Sequence, residues 1–109
     1  MNNPTNSSLK FGLTEAQFQI LNKLLIEPLK QAGAKIWIFG SRARGDHRPA
    51  SDVDILYEFA NSAPPPGLIF SITSDLEESR FPFTVDLVEI KNLAKSYQEN
   101  ILRDRVEIS

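Results

Sequence analysis

Two carboxylates two residues apart, Asp52 and Asp54, open an alternating apolar run that follows a basic loop. In extended backbone, residues two apart share a face, so both acids point the same way with their charges only a few ångströms apart. Like charges that close repel unless a cation lies between them. Hard divalent cations with oxygen ligands meet that need, and Mg²⁺ held by carboxylates together with substrate phosphates is the common form. Upstream, the apolar run Ile36-Trp37-Ile38-Phe39 stops at Gly40-Ser41. Such a strand-to-helix turn presents backbone N–H groups that suit a phosphate. An anion cradle and a metal seat within one short segment are what transfer of a nucleotidyl or phosphoryl group requires.

Asp86 is a third acid of interest, set inside Val85-Asp86-Leu87-Val88. An ionised Asp in an apolar strand is costly unless it meets a cation, a hydrogen-bond network or a solvent-facing edge. By alternation it shares a face with Thr84 and Val88. If its strand lies beside the one carrying Asp54, the three acids meet. Otherwise it is an edge Asp bonded to a backbone N–H or an Arg. Asp52 also has a plain reading as a turn residue, but turn chemistry does not account for Asp54. Gly40 and Ser41 read as a strand end and helix cap, which is compatible with a phosphate site. Arg42, Arg44 and Arg48 concentrate positive charge in the loop. An Arg beside a triphosphate neutralises developing charge, although a solvated surface is the usual place for Arg. Which of Arg42 and Arg44 reaches a nucleotide is open. His47 reads as an exposed loop residue, Asp46 as a turn residue, and Trp37 and Phe39 as core.

The stretch GSRARGDHRPASDVDI, from Gly40 to Ile55, joins Gly-Ser through ten residues to Asp-x-Asp. It resembles the signature of the polymerase-β-like nucleotidyltransferase superfamily. With its Arg44-Gly45 and Ser51-Asp52 elements it is most similar to the minimal nucleotidyltransferase (MNT) branch, whose members pair with helical HEPN proteins. The resemblance covers residues 36–90 well and the flanks loosely. It implies the nucleotidyltransferase fold, with Asp52, Asp54 and Asp86 as catalytic acids holding two Mg²⁺ ions. It further implies Gly40, Ser41, Arg42 and Arg44 as nucleotide-binding residues, with the Ser41 hydroxyl donating to a triphosphate oxygen. The implied reaction moves AMP from ATP onto a hydroxyl, a tyrosine of a cognate HEPN toxin, so that the chain acts as an antitoxin. Two other readings stand beside it. One is a transferase for a small hydroxylated molecule bound by a separate subunit; the other is a catalytically silent nucleotide-binding subunit.

The elements that must position these residues follow from periodicity. Thr14 and Gln17 form a capping box ahead of Phe18, Leu21, Leu24, Leu25 and Leu29 at helical spacing, with Pro28 set to kink or split the helix near Ile26-Glu27 and Gly33 to stop it. Strands are predicted over 35–39, 52–59 and 83–89, helices over 68–80 and 91–105, and a surface loop over 61–67. The order helix, strand, strand, helix, strand, helix gives an α+β fold, a small mixed sheet with helices packed against it. Residues 1–10 read as a flexible polar tail and 11–109 as a single domain. A domain of this size leaves no second lobe for the acceptor, which is expected on another subunit. Ile101, Leu102, Val106 and Ile108 are candidates for that interface or for the sheet itself. A net charge of −2 argues against direct DNA binding. The absence of cysteine removes disulfide and thiol chemistry. With no run of membrane-spanning length and no secretory signal, a cytoplasmic protein is expected.

Overall fold

The computed structural model describes residues 10–60 and 64–108. Most of the tail expected over 1–10, and the start of the loop expected over 61–67, lie outside them. The chain enters through helix α1 (Glu15–Leu21), whose N-terminus is the predicted capping box. The Gln17 amide donates to the Thr14 hydroxyl at 3.1 Å, and the Thr14 amide donates to the Gln17 side chain at 3.0 Å. A π turn (Asn22–Ile26) follows and leads into helix α2 (Glu27–Gln31). Pro28 stands in the first turn of α2. A proline is tolerated there because the amide it lacks has no intrahelical partner. The break predicted near Ile26-Glu27 is therefore a change of helical winding.

Strand β1 (Ala34–Phe39) then runs to a four-residue helix, α3 (Ser41–Arg44), and after the basic loop strand β2 (Val53–Phe59) returns antiparallel to β1. Helix α4 (Leu68–Glu78) crosses over to β3 (Val85–Glu89), which lies parallel to β2. A parallel pair needs such a crossover, since no tight hairpin can join it. A 3₁₀ turn (Ile90–Asn92), helix α5 (Lys95–Asp104) and a two-residue strand β4 (Val106–Glu107) complete the chain. The sheet order is β3-β2-β1-β4, mixed as expected. Strand β4 was not predicted, since two residues are too few to show a period. It pairs antiparallel with Trp37 and Ile38.

One face of the sheet carries the core. Ile36 and Ile38 of β1 and Val53, Ile55 and Tyr57 of β2 are buried with Leu21, Leu25 and Leu29 of the first helical segment and Ile72 and Leu76 of α4. On the opposite face Trp37 is covered, with the Arg105 guanidinium 4.1 Å from its ring centroid. The opposite face therefore has its apolar part closed and its acidic part, at the start of β2, open. Among the described residues no helix is long and apolar enough to cross a membrane.

The strand interior and the late edge should respond differently to truncation. Ile38→Ala, at a fully buried position, should cost about 2–5 kcal/mol of stability by the loss of buried methyl groups and the cavity left behind. Val106→Ala, on the exposed edge strand, should cost roughly 0.5 kcal/mol or less. Urea denaturation of the two variants measures the contrast.

Candidate active site

The turn after β1 is shaped by Gly40, which adopts φ 77°, ψ −156°. That conformation is open to glycine and strained for any residue with a Cβ. A second constraint coincides with it, because a Cβ at Gly40 would overlap the Asp54 carboxylate. Gly40 thus lets the backbone bend toward α3 while an acid from the neighbouring strand lies directly against it. The register explains the approach, since Phe39 faces Asp54 across the β1–β2 pair. The helix begins at Ser41 and ends at Gly45, in the left-handed conformation with φ 88°. The first-turn amides of any helix lack intrahelical partners, so the turn above Asp54 presents donors where the acids present acceptors.

Asp54 faces Asp86 across the parallel β2–β3 pair. Paired residues in neighbouring strands project from the same face of a sheet, so the two acids stand side by side. Asp52 lies one residue before β2 and feels the same charge field. The structure thus places Asp86 and Asp52 within electrostatic reach of Asp54, which itself lies against Gly40. Asp52 and Asp86 are exposed, and Asp54 is half-buried between them. The Asp54 carboxyl is pushed above its ordinary range, first by burial, then by the charges of Asp86 and Asp52. Arg42 and Arg44 pull it partly back.

Carboxylate oxygens crowded in this way are the donor set that a hard divalent cation takes, and the repulsion raising Asp54 is what such a cation would relieve. The residues fit the metal that this chemistry implies, in charge and in donor type. Among the described residues, no three His, Asp or Glu side chains are already drawn together tightly enough to grip a metal.

The two arginines of α3 part company. Arg44 is exposed at the mouth, 3.1 Å from Asp46 and 4.0 Å from Asp104 at the end of α5. Arg42 is only 2% exposed. It donates through Nε and Nη2 to the Ser51 carbonyl, at 3.1 and 2.8 Å, and through Nη1 to the Phe11 carbonyl at 2.9 Å. Burial lowers its pKa, and Asp52 and Asp54 oppose that shift. His47, expected to be an exposed loop residue, is half-buried, its ring against Gly12. Phe11 and Gly12, whose turn meets Arg42 and His47, carry no sequence signal beyond a glycine ahead of a capping box. Trp37 is buried, in keeping with its reading as core.

A mixed sheet that brings acids from two parallel strands beneath a Gly-Ser turn is the frame of a nucleotidyltransferase. The chain belongs to the family described as Polymerase beta, Nucleotidyltransferase, whose model matches residues 18–109. Among solved structures, a candidate minimal nucleotidyltransferase superposes with a TM-score of 0.66 at 24% identity, covering 94% of this chain and 99% of the other. A toxin–antitoxin complex with AMP-PNP contains a chain matching at TM-score 0.59 and 20% identity, covering 79% of this chain and 70% of that one. A complex of a tri-AMPylated Shewanella oneidensis HEPN toxin with an MNT antitoxin matches at TM-score 0.55 and 18% identity, with 85% and 69% covered. At these identities the likeness is one of fold. No curated protein matches the chain significantly.

The raised pKa of Asp54 has a stability consequence whose sign follows from linkage. An acid with a higher pKa folded than unfolded binds its proton more tightly in the folded state, so stability falls as pH rises past the unfolded value of about 3.9. The loss is complete once pH exceeds the folded value. In the presence of a chelator, Asp54→Asn should therefore raise the Tm at neutral pH and lose that advantage in acid below the ordinary Asp range. Thermal melts across pH measure this, and a lowered Tm at neutral pH in the variant would contradict the electrostatic reading.

Proposed function

We propose that this chain is a Mg²⁺-dependent nucleotidyltransferase that moves AMP from ATP onto a hydroxyl of a protein partner, a tyrosine of a HEPN-class toxin, and so acts as an antitoxin. The observation that carries the reading is the placement of Asp54 and Asp86 opposite one another in parallel register, with Gly40 against Asp54. Asp52, Asp54 and Asp86 would hold two Mg²⁺ ions. The exposed Asp52 and Asp86 would turn toward the half-buried Asp54 to complete the set. Bound metal would supply neutralisation of the triphosphate and a lower pKa for the acceptor hydroxyl.

The chain's own groups then have defined tasks. Gly40 lets the Asp54 carboxylate lie against the turn, and the Ser41 hydroxyl donates to a phosphate oxygen. Arg44, at the open mouth, exchanges its contacts with Asp46 and Asp104 for the triphosphate and offsets the charge that develops on the leaving group. The acceptor oxygen attacks the α-phosphorus in line. A new P–O bond forms as the bond to the β-phosphate oxygen breaks, pyrophosphate leaves, and the hydroxyl proton passes to solvent. The partner assignment is supported by the fold shared with chains of toxin–antitoxin complexes. Exposed Phe70 and Tyr97 offer apolar surface for such an assembly.

Mass spectrometry of the co-purified partner after incubation with Mg-ATP tests the reading. One or more AMP masses should appear, and Asp54→Asn should slow their appearance by roughly 100-fold or more, as loss of a preorganised electrostatic element does. An unmodified partner alongside an adenylylated small hydroxylated molecule would instead select the small-molecule transferase. The absence of any turnover would leave a silent nucleotide-binding subunit.

A further inference from the structure

Among the described residues, Arg42 is the one charged side chain in the buried interior. Its contacts are unusual in kind, because every hydrogen bond its guanidinium makes ends on a backbone carbonyl. The fork of Nε and Nη2 closes on the carbonyl of Ser51, Nη2 also lies 3.4 Å from that of Pro49, and Nη1 reaches Phe11. The guanidinium carbon sits 4.3 Å from the centroid of the Phe83 ring. Three of these groups adjoin the site in sequence. Arg42 follows Ser41 directly, Ser51 precedes Asp52 directly, and Phe83 lies just before β3, which carries Asp86.

We propose that Arg42 is a positioning residue for nucleotidyl transfer, a buried clamp that fixes where Asp52 stands relative to Ser41 and Asp86. The inference rests on the nucleotidyltransferase reading for the reaction it serves. A guanidinium is costly to bury, and an apolar side chain could fill the same volume. What an apolar side chain cannot do is hold a carbonyl from two directions at once. Asp52 itself lies outside β2; the Val53 amide after it is held by the Thr84 carbonyl at 2.9 Å, and the Ser51 carbonyl before it is held by Arg42.

Phe11 supports the same view. Its φ of 56° lies in the left-handed region, the one such non-glycine among the described residues. Backbone strain of this type persists where the surroundings impose it. The turn that strains Phe11 is closed by paired bonds between Lys10 and Leu13, and its carbonyl is delivered to Nη1. A Cβ at Gly12 would overlap the His47 ring and meet Arg42 Nη1 at 2.7 Å, so the turn packs closely on both side chains. Lysine would keep the charge felt by Asp52 and Asp54 but would lose the planar fork.

The test compares the full chain with Arg42→Lys, Phe83→Leu and Arg48→Ala, the last an exposed loop arginine serving as control. Hydrogen exchange is followed at the amides of Leu13, Ser51 and Val53, bonded to Lys10, Arg48 and Thr84 respectively. Mg²⁺ binding is followed by calorimetry, and ATP binding is measured with chelator present. In Arg42→Lys, protection at these amides should fall together. The Mg²⁺ dissociation constant should rise about tenfold, as it does when a residue supporting a ligand is lost, while metal-free ATP binding stays within about twofold. Phe83→Leu, which loosens the guanidinium without removing its fork, should raise the Mg²⁺ constant about threefold. It decides the matter if Arg42→Lys does not fold. Arg48→Ala should match the wild type. Unchanged exchange and Mg²⁺ affinity in Arg42→Lys would overturn the clamp, and a tenfold loss of metal-free ATP binding would make Arg42 a phosphate ligand instead. Should the wild-type chain bind no Mg²⁺ and transfer nothing, the transferase reading falls and with it the reaction Arg42 serves. The exchange result by itself still decides whether Arg42 holds Asp52 in place.

Discussion

Crowding of negative charge at one end of a parallel strand pair is the constraint from which the rest of this structure follows. Asp54 and Asp86 are forced to be neighbours by the β2–β3 register, and Asp52 is close enough to add to the repulsion. No fold gathers three carboxylates for stability, because repulsion and partial burial both work against it. The sheet tolerates the arrangement because its core lies on the other face, where Ile36, Ile38, Val53 and Ile55 are fully buried. The core and the acidic cluster thus occupy opposite sides of the same strands.

The positive side of the balance is also divided. Arg42 and Arg44 lie two residues apart on one short helix, yet one is sealed inside and the other faces the solvent. Both temper the repulsion at Asp54. The exposed one contacts the carboxylates of Asp46 and Asp104, whereas the buried one is committed to carbonyls. A helix of four residues is enough to separate these duties because neighbouring positions on a helix point in very different directions.

Much of this arrangement could be read from the residues. Alternation placed Val53, Ile55, Tyr57 and Phe59 together and Asp54 opposite them, and the capping box at Thr14 and Gln17 stands where predicted. The α+β class followed from the order of elements. The pairing of Asp86 with Asp54 did not, because alternation fixes a face and says nothing of which strand lies alongside. The burial of Arg42 was equally hidden. Its residue type signals solvent, and the carbonyls that receive it belong to segments 7 to 31 positions away. Strand β4 escaped notice because it is held by its partner β1 and by the bond from the Ile108 amide to the Ile36 carbonyl, not by any pattern of its own.

The contact between Arg42 and the Ser51 carbonyl spans the loop from inside and is blind to side chains. A loop residue such as Ala50, whose side chain is exposed to solvent, is free to drift in identity over evolutionary time. Loop length has no such latitude. One residue inserted between Gly45 and Pro49 would either pull Ser51 off the guanidinium or slip β2 against its neighbours, and a slip of one place exchanges the two faces of a strand. The acids would then turn into the apolar interior and Val53, Ile55 and Tyr57 out to water. Fixed spacing with variable lettering is therefore the pattern that natural variants of this loop should display.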